Sequence, residues 1–217
     1  ILRWELRFSK AVVVLSNAVG QLLKAQYGDL LGQIPIHHSV LPPFRSPSGV
    51  AATESNRPHS TTNFVFFGRI APYKGLDILI EGFGRAARGR DDLHLIVAGP
   101  DGGYEHVARE MVKAESLESK ISFTGPIYGE TKLAALSRAN VFALTSYGEG
   151  FSVALLEALA ASLPLVISKE CHFPEVAVSG AGLEIDLDPQ EFAMALTQVV
   201  GDSSLLANMR SNAHAMA

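Results

Sequence analysis

Two glutamates and two cations are the residues of this sequence whose types and spacing could do chemistry. Glu149 lies in the turn SYGEG, flanked by Gly148 and Gly150, and Glu157 follows eight residues later inside VALLEALAA. A carboxylate in an otherwise apolar helix is expensive unless it has partners, and hydroxyl groups of a ligand would be such partners. With a helix beginning near Ser152, the helical part of the gap is roughly 7.5 Å at 1.5 Å per residue, about the length of a diphosphate-ribose segment. The pair would then grip two hydroxyl-bearing parts of one elongated ligand. The unbonded amides of Phe151, Ser152 and Val153 at the helix start would hold phosphate oxygens. A plainer account, with Glu157 facing solvent and Glu149 in a turn near a helix dipole, fits the spacing less well.

The cations lie in GRIAPYKG, residues 68–75, directly after the apolar run FVFF. Gly68 lets the backbone approach a ligand closely. Arg69 and Lys74 supply one forked and one point charge, and two cations over one helix N-terminus suit a diphosphate. The loop has neither the GxxxxGK[ST] nor the GxGxxG spacing. An exposed arginine and a lysine ahead of a helix explain it equally well. Two further loops, AGPDGG at 98–103 and TGPIYG at 124–129, bring small residues to strand ends. In the second, the backbone from Pro126 through Ile127 to Tyr128 could lie beside a planar base.

These loops need elements to position them. From Phe64 onward, FVFF, LHLIVA, ISF, VFALT, PLVIS and LEIDL read as six strands. Between them are helical periods such as Leu76, Leu79, Ile80, Phe83; Val107, Met111, Val112; and Leu133, Leu136, Ala139. Strict alternation predicts an α/β fold, a Rossmann-like doubly wound parallel sheet with helices on both faces. In such sheets ligands bind beyond the carboxyl ends of the strands, where all four loops fall. Residues 1–45 carry one strand, AVVVLS, and a helix, NAVGQLLKAQYG. Residues 46–62 are rich in Pro, Ser and Thr without an apolar period, the composition of a linker. The domain proper is expected over 63–217.

Composition narrows the partners. The 18 Lys and Arg against 22 Asp and Glu leave a net charge of -4, without the broad positive field that nucleic-acid binding requires. Cys171 is the single cysteine, so no intramolecular disulfide forms, and a reducing cytoplasm is the expected compartment. No apolar run reaches the length of a membrane span. His37 and His38 are adjacent, and neighbours on a strand point to opposite faces, so a structural role is expected rather than a shared ligand. Glu175 follows Pro174 as an ordinary helix start, with a ligand contact as the alternative. Nothing near Cys171 and His172 lowers a thiol pKa, so Cys171 is read as incidental. The start at Ile1 and the end inside the helical pattern NMRSNAHAMA suggest a fragment.

The series GRIAPYKG, SYGEGFSVALLEALA and FPEVAVSGAGLEIDLDPQEFAMAL resembles the retaining family-4 glycosyltransferases of the two-domain GT-B type, over residues 63 to about 215. The resemblance implies that Arg69 and Lys74 bind the diphosphate of a nucleotide-sugar donor, that Glu149 approaches the transferred sugar, and that Glu157 holds the ribose. It makes Glu149, Arg69 and Lys74 the expected catalytic group. Gly68, Ile127, Gly150, Phe151, Ser152, Val153 and Glu157 are the expected donor contacts. The acceptor hydroxyl of a glycan, a lipid-linked or a small molecule would attack on the face the nucleotide leaves, without a metal or other cofactor. Residues 1–45 look like the end of the family's N-terminal acceptor domain, although the usual Asn or His before Gly-Val reads here as His38, Ser39, Val40. A chain with that domain missing would bind donor and transfer little alone, and the full-length protein could sit peripherally at the inner membrane face. The residues also admit a nucleotide-binding module without catalysis, or a plain interaction domain with no nucleotide affinity.

Overall fold

The structure is a computed structural model that describes residues 12–14, 21, 23–26, 28, 36–38, 61–150 and 152–217. The β-branched run Val12–Val14 forms β1 and pairs in parallel with β2, Ile36–His38, with Val12 opposite Ile36. The histidine segment, not counted as a strand from sequence, is thus the partner of β1. Residues 21, 23–26 and 28 are helical, as NAVGQLLKAQYG suggests. Phe151 and most of 1–60 lie outside the described residues.

The main sheet holds β3 (Thr62–Phe67), β4 (Leu93–Ala98), β5 (Ile121–Gly125), β6 (Val141–Leu144), β7 (Leu165–Ser168) and β8 (Gly182–Ile185). All pairings are parallel, in the order β5-β4-β3-β6-β7-β8. This is the predicted Rossmann-like α/β sheet of six strands, and its strands read as nearly continuous apolar runs because both faces are covered. Phe64, Val65, Phe142 and Leu144 are fully buried. Phe64 meets Phe83 edge-on at 5.9 Å between ring centroids, and Phe67 stacks on Phe142 at 6.5 Å.

The covering helices are α1 (Leu76–Ala86), α2 (Glu105–Ala114), α3 (Gly129–Arg138), α4 (Val153–Ala160), the short α5 (Glu175–Val178), α6 (Pro189–Gly201) and α7 (Ser203–Met216). Asp188 caps α6 by accepting from the Gln190 amide, with Pro189 in the first turn. Asp202 caps α7 by accepting from the Ser204 and Leu205 amides. α1 and α6 approach so closely that a Cβ on Gly82 would lie 2.6 Å from the Phe192 ring. Glycine is the residue that permits this contact.

The strand order puts the functional loops together. Chain progression runs from β3 outward through β4 to β5, then returns to the far side of β3 and runs outward through β6, β7 and β8. β3 and β6 are neighbours whose loops lead to opposite halves of the sheet, the switch point at whose carboxyl ends open α/β sheets have their ligand crevice. The loops carrying Lys74 and Glu149 leave from those two ends. Among the described residues no helix is long and apolar enough to cross a membrane.

Candidate functional site

The loop after β3 bends through a short 3-10 turn, Pro72–Lys74, and ends at Gly75 in a left-handed conformation, φ 65°. Gly75 is required twice. Its φ disfavours any side chain, and a Cβ would lie 1.8 Å from the Thr145 carbonyl oxygen at the end of β6. The Thr145 hydroxyl in turn donates to the Gly75 carbonyl at 2.7 Å. The loops after β3 and β6 are stapled again by the Tyr147 amide, which donates to the Tyr73 carbonyl at 2.8 Å. The Tyr147 hydroxyl donates to Asp77 Oδ2 on α1 at 2.6 Å.

This stapling delivers Lys74 to Glu149. Lys74 Nζ donates to Glu149 Oε1 at 2.5 Å, with side-chain exposures of only 11% and 8%. Ser146 Oγ donates to the same oxygen. Among the described residues no group donates to Glu149 Oε2. The Glu149 amide bonds the Glu170 carbonyl at 3.0 Å, and Ser168 Oγ bonds the Ser146 carbonyl at 2.6 Å, so β7 and the turn after it support the same loop.

A second pair stands on the other flank. Lys132, in the first turns of α3, donates to Glu157 Oε2 on α4, and its ammonium lies 5.5 Å from the centroid of the Phe67 ring at the end of β3. Both side chains are about three-quarters buried. The partner that a carboxylate in VALLEALAA requires is therefore supplied within the chain. Sequence reading missed Lys132, which sits in the polar stretch GETK with nothing to tie it to a residue 25 positions on. Tyr147 and Asp77, 70 positions apart, were missed for the same reason, whereas Ser146 lies three residues from Glu149 in the turn itself and was not singled out.

The remaining predicted residues are distributed along this crevice. Gly68 follows β3 directly and is half-buried, with the Lys74 Cε within 3.7 Å of where its Cβ would stand. Arg69 is exposed, its stem lying over Gly102, and among the described residues no carboxylate pairs with it. Ile127 packs partly buried against the core, while Tyr128 is exposed. Gly150 is exposed, Ser152 is the buried N-cap residue of α4, and Val153 opens its first turn to solvent. The structure thus brings Lys74 to Glu149 directly and leaves Arg69 reaching outward alone. Arg69, Lys74 and Lys132 against Glu149 and Glu157 leave one positive charge in excess.

Two groups near the site have perturbed acidity. The Tyr147 phenol is pushed up to about 12, chiefly by the hydrogen bond it donates to Asp77, then by burial. Burial pushes the Cys171 thiol up to about 11, against a lowering contribution from Ser168, so the thiol stays protonated at neutral pH. Glu175 is exposed at the start of α5, with Pro174 as its N-cap. Among the described residues no group of three or more His, Cys, Asp or Glu side chains is arranged to hold a metal ion. A groove of about 730 Å³ lies elsewhere, between α1 and α6, lined by Arg85, Arg88, Gln190 and Met194. None of the residues singled out for chemistry lines it, and the paired charges at the switch point are the stronger sign of a site.

Comparison with known proteins bears on this crevice. Residues 51–216 match the family model described as glycosyl transferases group 1. The chain is 29% identical over 185 residues to a D-inositol 3-phosphate glycosyltransferase of Corynebacterium glutamicum, a match covering 77% of this chain and 43% of that protein. The chain thus spans less than half the length of that relative. The fold is shared with the pneumococcal O-GlcNAc transferase GtfA, solved with UDP and GlcNAc, at TM-score 0.81 and 18% identity over 98% of this chain and 43% of that one. It is shared also with the C-terminal domain of a group 1 glycosyl transferase (LpcC) from Francisella tularensis, at TM-score 0.67 and 22% identity, covering 75% of this chain and 91% of that one.

Proposed function

The chain belongs to the glycosyl transferases group 1 family, and on that premise we propose that it binds a nucleotide-diphosphate sugar in the crevice between the ends of β3 and β6. In the whole protein this domain serves transfer of a hexose to an acceptor hydroxyl with retention of configuration, in the manner of the family-4 enzymes. The observation that carries the reading is the nearly buried Lys74–Glu149 pair at the topological switch point. A bare ion pair there is hard to justify as stabilisation, because desolvating two charges offsets most of their attraction. A ligand that bonds to both groups gives the pair a use.

The roles follow from chemistry and place. Lys74, with Arg69 reaching from the same loop, neutralises the charge that develops on the departing diphosphate. Holding these cations in the protein before the bond breaks avoids reorganising solvent at that moment. Glu149, with Oε1 fixed by Lys74 and Ser146, keeps Oε2 to accept from a hydroxyl of the transferred sugar. Glu157 accepts from the ribose, the amides of Gly150 to Val153 bond phosphate oxygens, and the backbone near Ile127 flanks the base. The acceptor hydroxyl attacks on the face that the nucleotide leaves, and a phosphate oxygen takes its proton, so no protein nucleophile is required. This reading calls on no metal. Residues 1–45 belong to the acceptor-binding domain, the linker from 46 ends before Thr62, where β3 begins, and the domain from there to 217 binds the donor. Acceptor-side groups come from outside 63–217, so residues 63–217 alone transfer little or nothing.

The test is calorimetric titration of the chain with UDP, GDP and ADP and their hexose conjugates, repeated on Lys74→Ala and Glu157→Ala. Saturable binding of one nucleotide, weakened about tenfold or more by either substitution, is expected, since each removes a charge-assisted hydrogen bond. Binding of the nucleotide with no recognition of the attached sugar would instead identify a nucleotide-binding module. Absence of binding by a folded chain would refute the assignment.

A further inference from the structure

Lys132 is a charged group at the crevice that the roles above leave unused, and it stands where burial and the helix dipole both disfavour a cation. It lies near the start of α3, whose first turn begins at Gly129, and a cation there opposes the helix dipole. It is also about three-quarters buried, so its ammonium has lost much of its hydration. What it gains is a bond to Glu157 Oε2 and the face of Phe67. Those contacts join α3, which follows the loop containing Ile127, to α4, which carries Glu157.

The chemistry of the pair is complementary in a particular way. A carboxylate only accepts hydrogen bonds and an ammonium only donates them, whereas each hydroxyl of a vicinal diol does both. Glu157 alone would satisfy the hydroxyl protons and leave the hydroxyl lone pairs unmatched. With Lys132 beside it, one hydroxyl can donate to Glu157 while a neighbouring hydroxyl accepts from Lys132. Among the described residues no group donates to Glu157 Oε1, so that oxygen is available. The bond to Oε2 restrains the carboxylate to one orientation, which lowers the entropy lost when a ligand is bound.

We propose that Lys132 is a specificity-determining residue that makes the Lys132–Glu157 pair a receptor for a vicinal diol, so that the crevice selects ribonucleotides over 2'-deoxyribonucleotides. This rests on the reading of the crevice as a nucleotide site. A site built to bond a hydroxyl discriminates strongly against the analogue lacking it, because its own polar groups are left unmatched.

The test is titration of the 217-residue chain with UDP, GDP and ADP and their 2'-deoxy counterparts, for the parent, Lys132→Met, Lys132→Arg and Glu157→Gln. The parent is expected to favour the ribonucleotide by about tenfold or more. Lys132→Met keeps the apolar stem and should lower that ratio by weakening the ribonucleotide more than the 2'-deoxy form, Glu157 still accepting from a hydroxyl. Glu157→Gln should lower the ratio from the accepting side, and Lys132→Arg, which still donates, should keep most of it. Thermal unfolding of each variant reports whether it is folded. If Lys132→Met weakens both nucleotide forms by one factor, Lys132 acts only through the shape of α3 and the proposal is overturned. An unchanged ratio in the folded Lys132→Met chain overturns it as well. If the parent binds no nucleotide, the crevice assignment itself falls and takes the proposal with it, an outcome distinct from a bound nucleotide with an unaltered ratio.

Discussion

Replacing Lys74 by methionine asks the structure its most demanding question. The side chain keeps its length and loses its charge, leaving Glu149 8% exposed with Ser146 as its remaining hydrogen-bond donor. Removing one partner of a buried pair typically destabilises by about 3–5 kcal/mol, because the other charge stays desolvated. The Ser146 bond, which remains, argues for the low end, about 3 kcal/mol. For a chain of this size that corresponds to a fall in Tm of roughly 6–12 °C. Lys74→Met/Glu149→Leu removes both desolvated charges and should recover most of the loss, giving a coupling of about 2 kcal/mol or more. Urea unfolding of the parent, the two single variants and the double variant measures this directly. The double variant should recover stability without recovering nucleotide affinity, which separates what the pair does for the fold from what it does for the ligand. Strictly additive losses, or a Lys74→Met chain within about 0.5 kcal/mol of the parent, would show that water solvates the pair and that the burial reasoning fails.

Three further outcomes follow from the loop staples and the buried thiol. Gly75→Ala sets a Cβ 1.8 Å from the Thr145 carbonyl at φ 65°, so the chain should lose several kcal/mol or fail to fold, as seen by circular dichroism; near-parental stability would mean that the two loops are free to separate. In an ultraviolet titration of the tyrosines, Tyr147 should ionise near pH 12, and Asp77→Asn should bring it down by removing the carboxylate its hydroxyl bonds. Cys171 has a raised folded pKa of about 11, so its contribution is fully present below the unfolded value near 9 and is lost as pH climbs from there through 11. The loss amounts to roughly 2–3 kcal/mol, and Cys171→Ala should flatten the stability curve across that window in urea titrations; a parent curve already flat there would refute the buried-thiol account.

What was legible in the sequence, and what was not, divides along the range of the interactions. Strands such as Thr62–Phe67 and Val141–Leu144 advertise themselves because burial on both faces demands an unbroken apolar run, a property of the segment alone. Strict alternation with helices then leaves few topologies, and the observed all-parallel sheet is one of them. Lys74 and Glu149 were picked out one by one for their loops, and their meeting is a consequence of β3 lying beside β6. Their direct bond was not visible, since 75 residues separate them and only the sheet order closes that distance. Lys132 is the sharper case. Its local signals, a polar stretch at a helix start, are those of any solvated surface, and the cost of its position appears only once the bond to Glu157 is seen to join α3 to α4. The carboxylate at Glu157 announced that something must pair with it, yet the apolar helix around it could say nothing about whether ligand or protein would do so. Both can, because a carboxylate has two oxygens and Lys132 occupies one. The structural partner found here therefore does not displace the ligand expected from sequence but constrains its chemistry: what binds beside an ammonium and a carboxylate must both donate and accept, as a diol does.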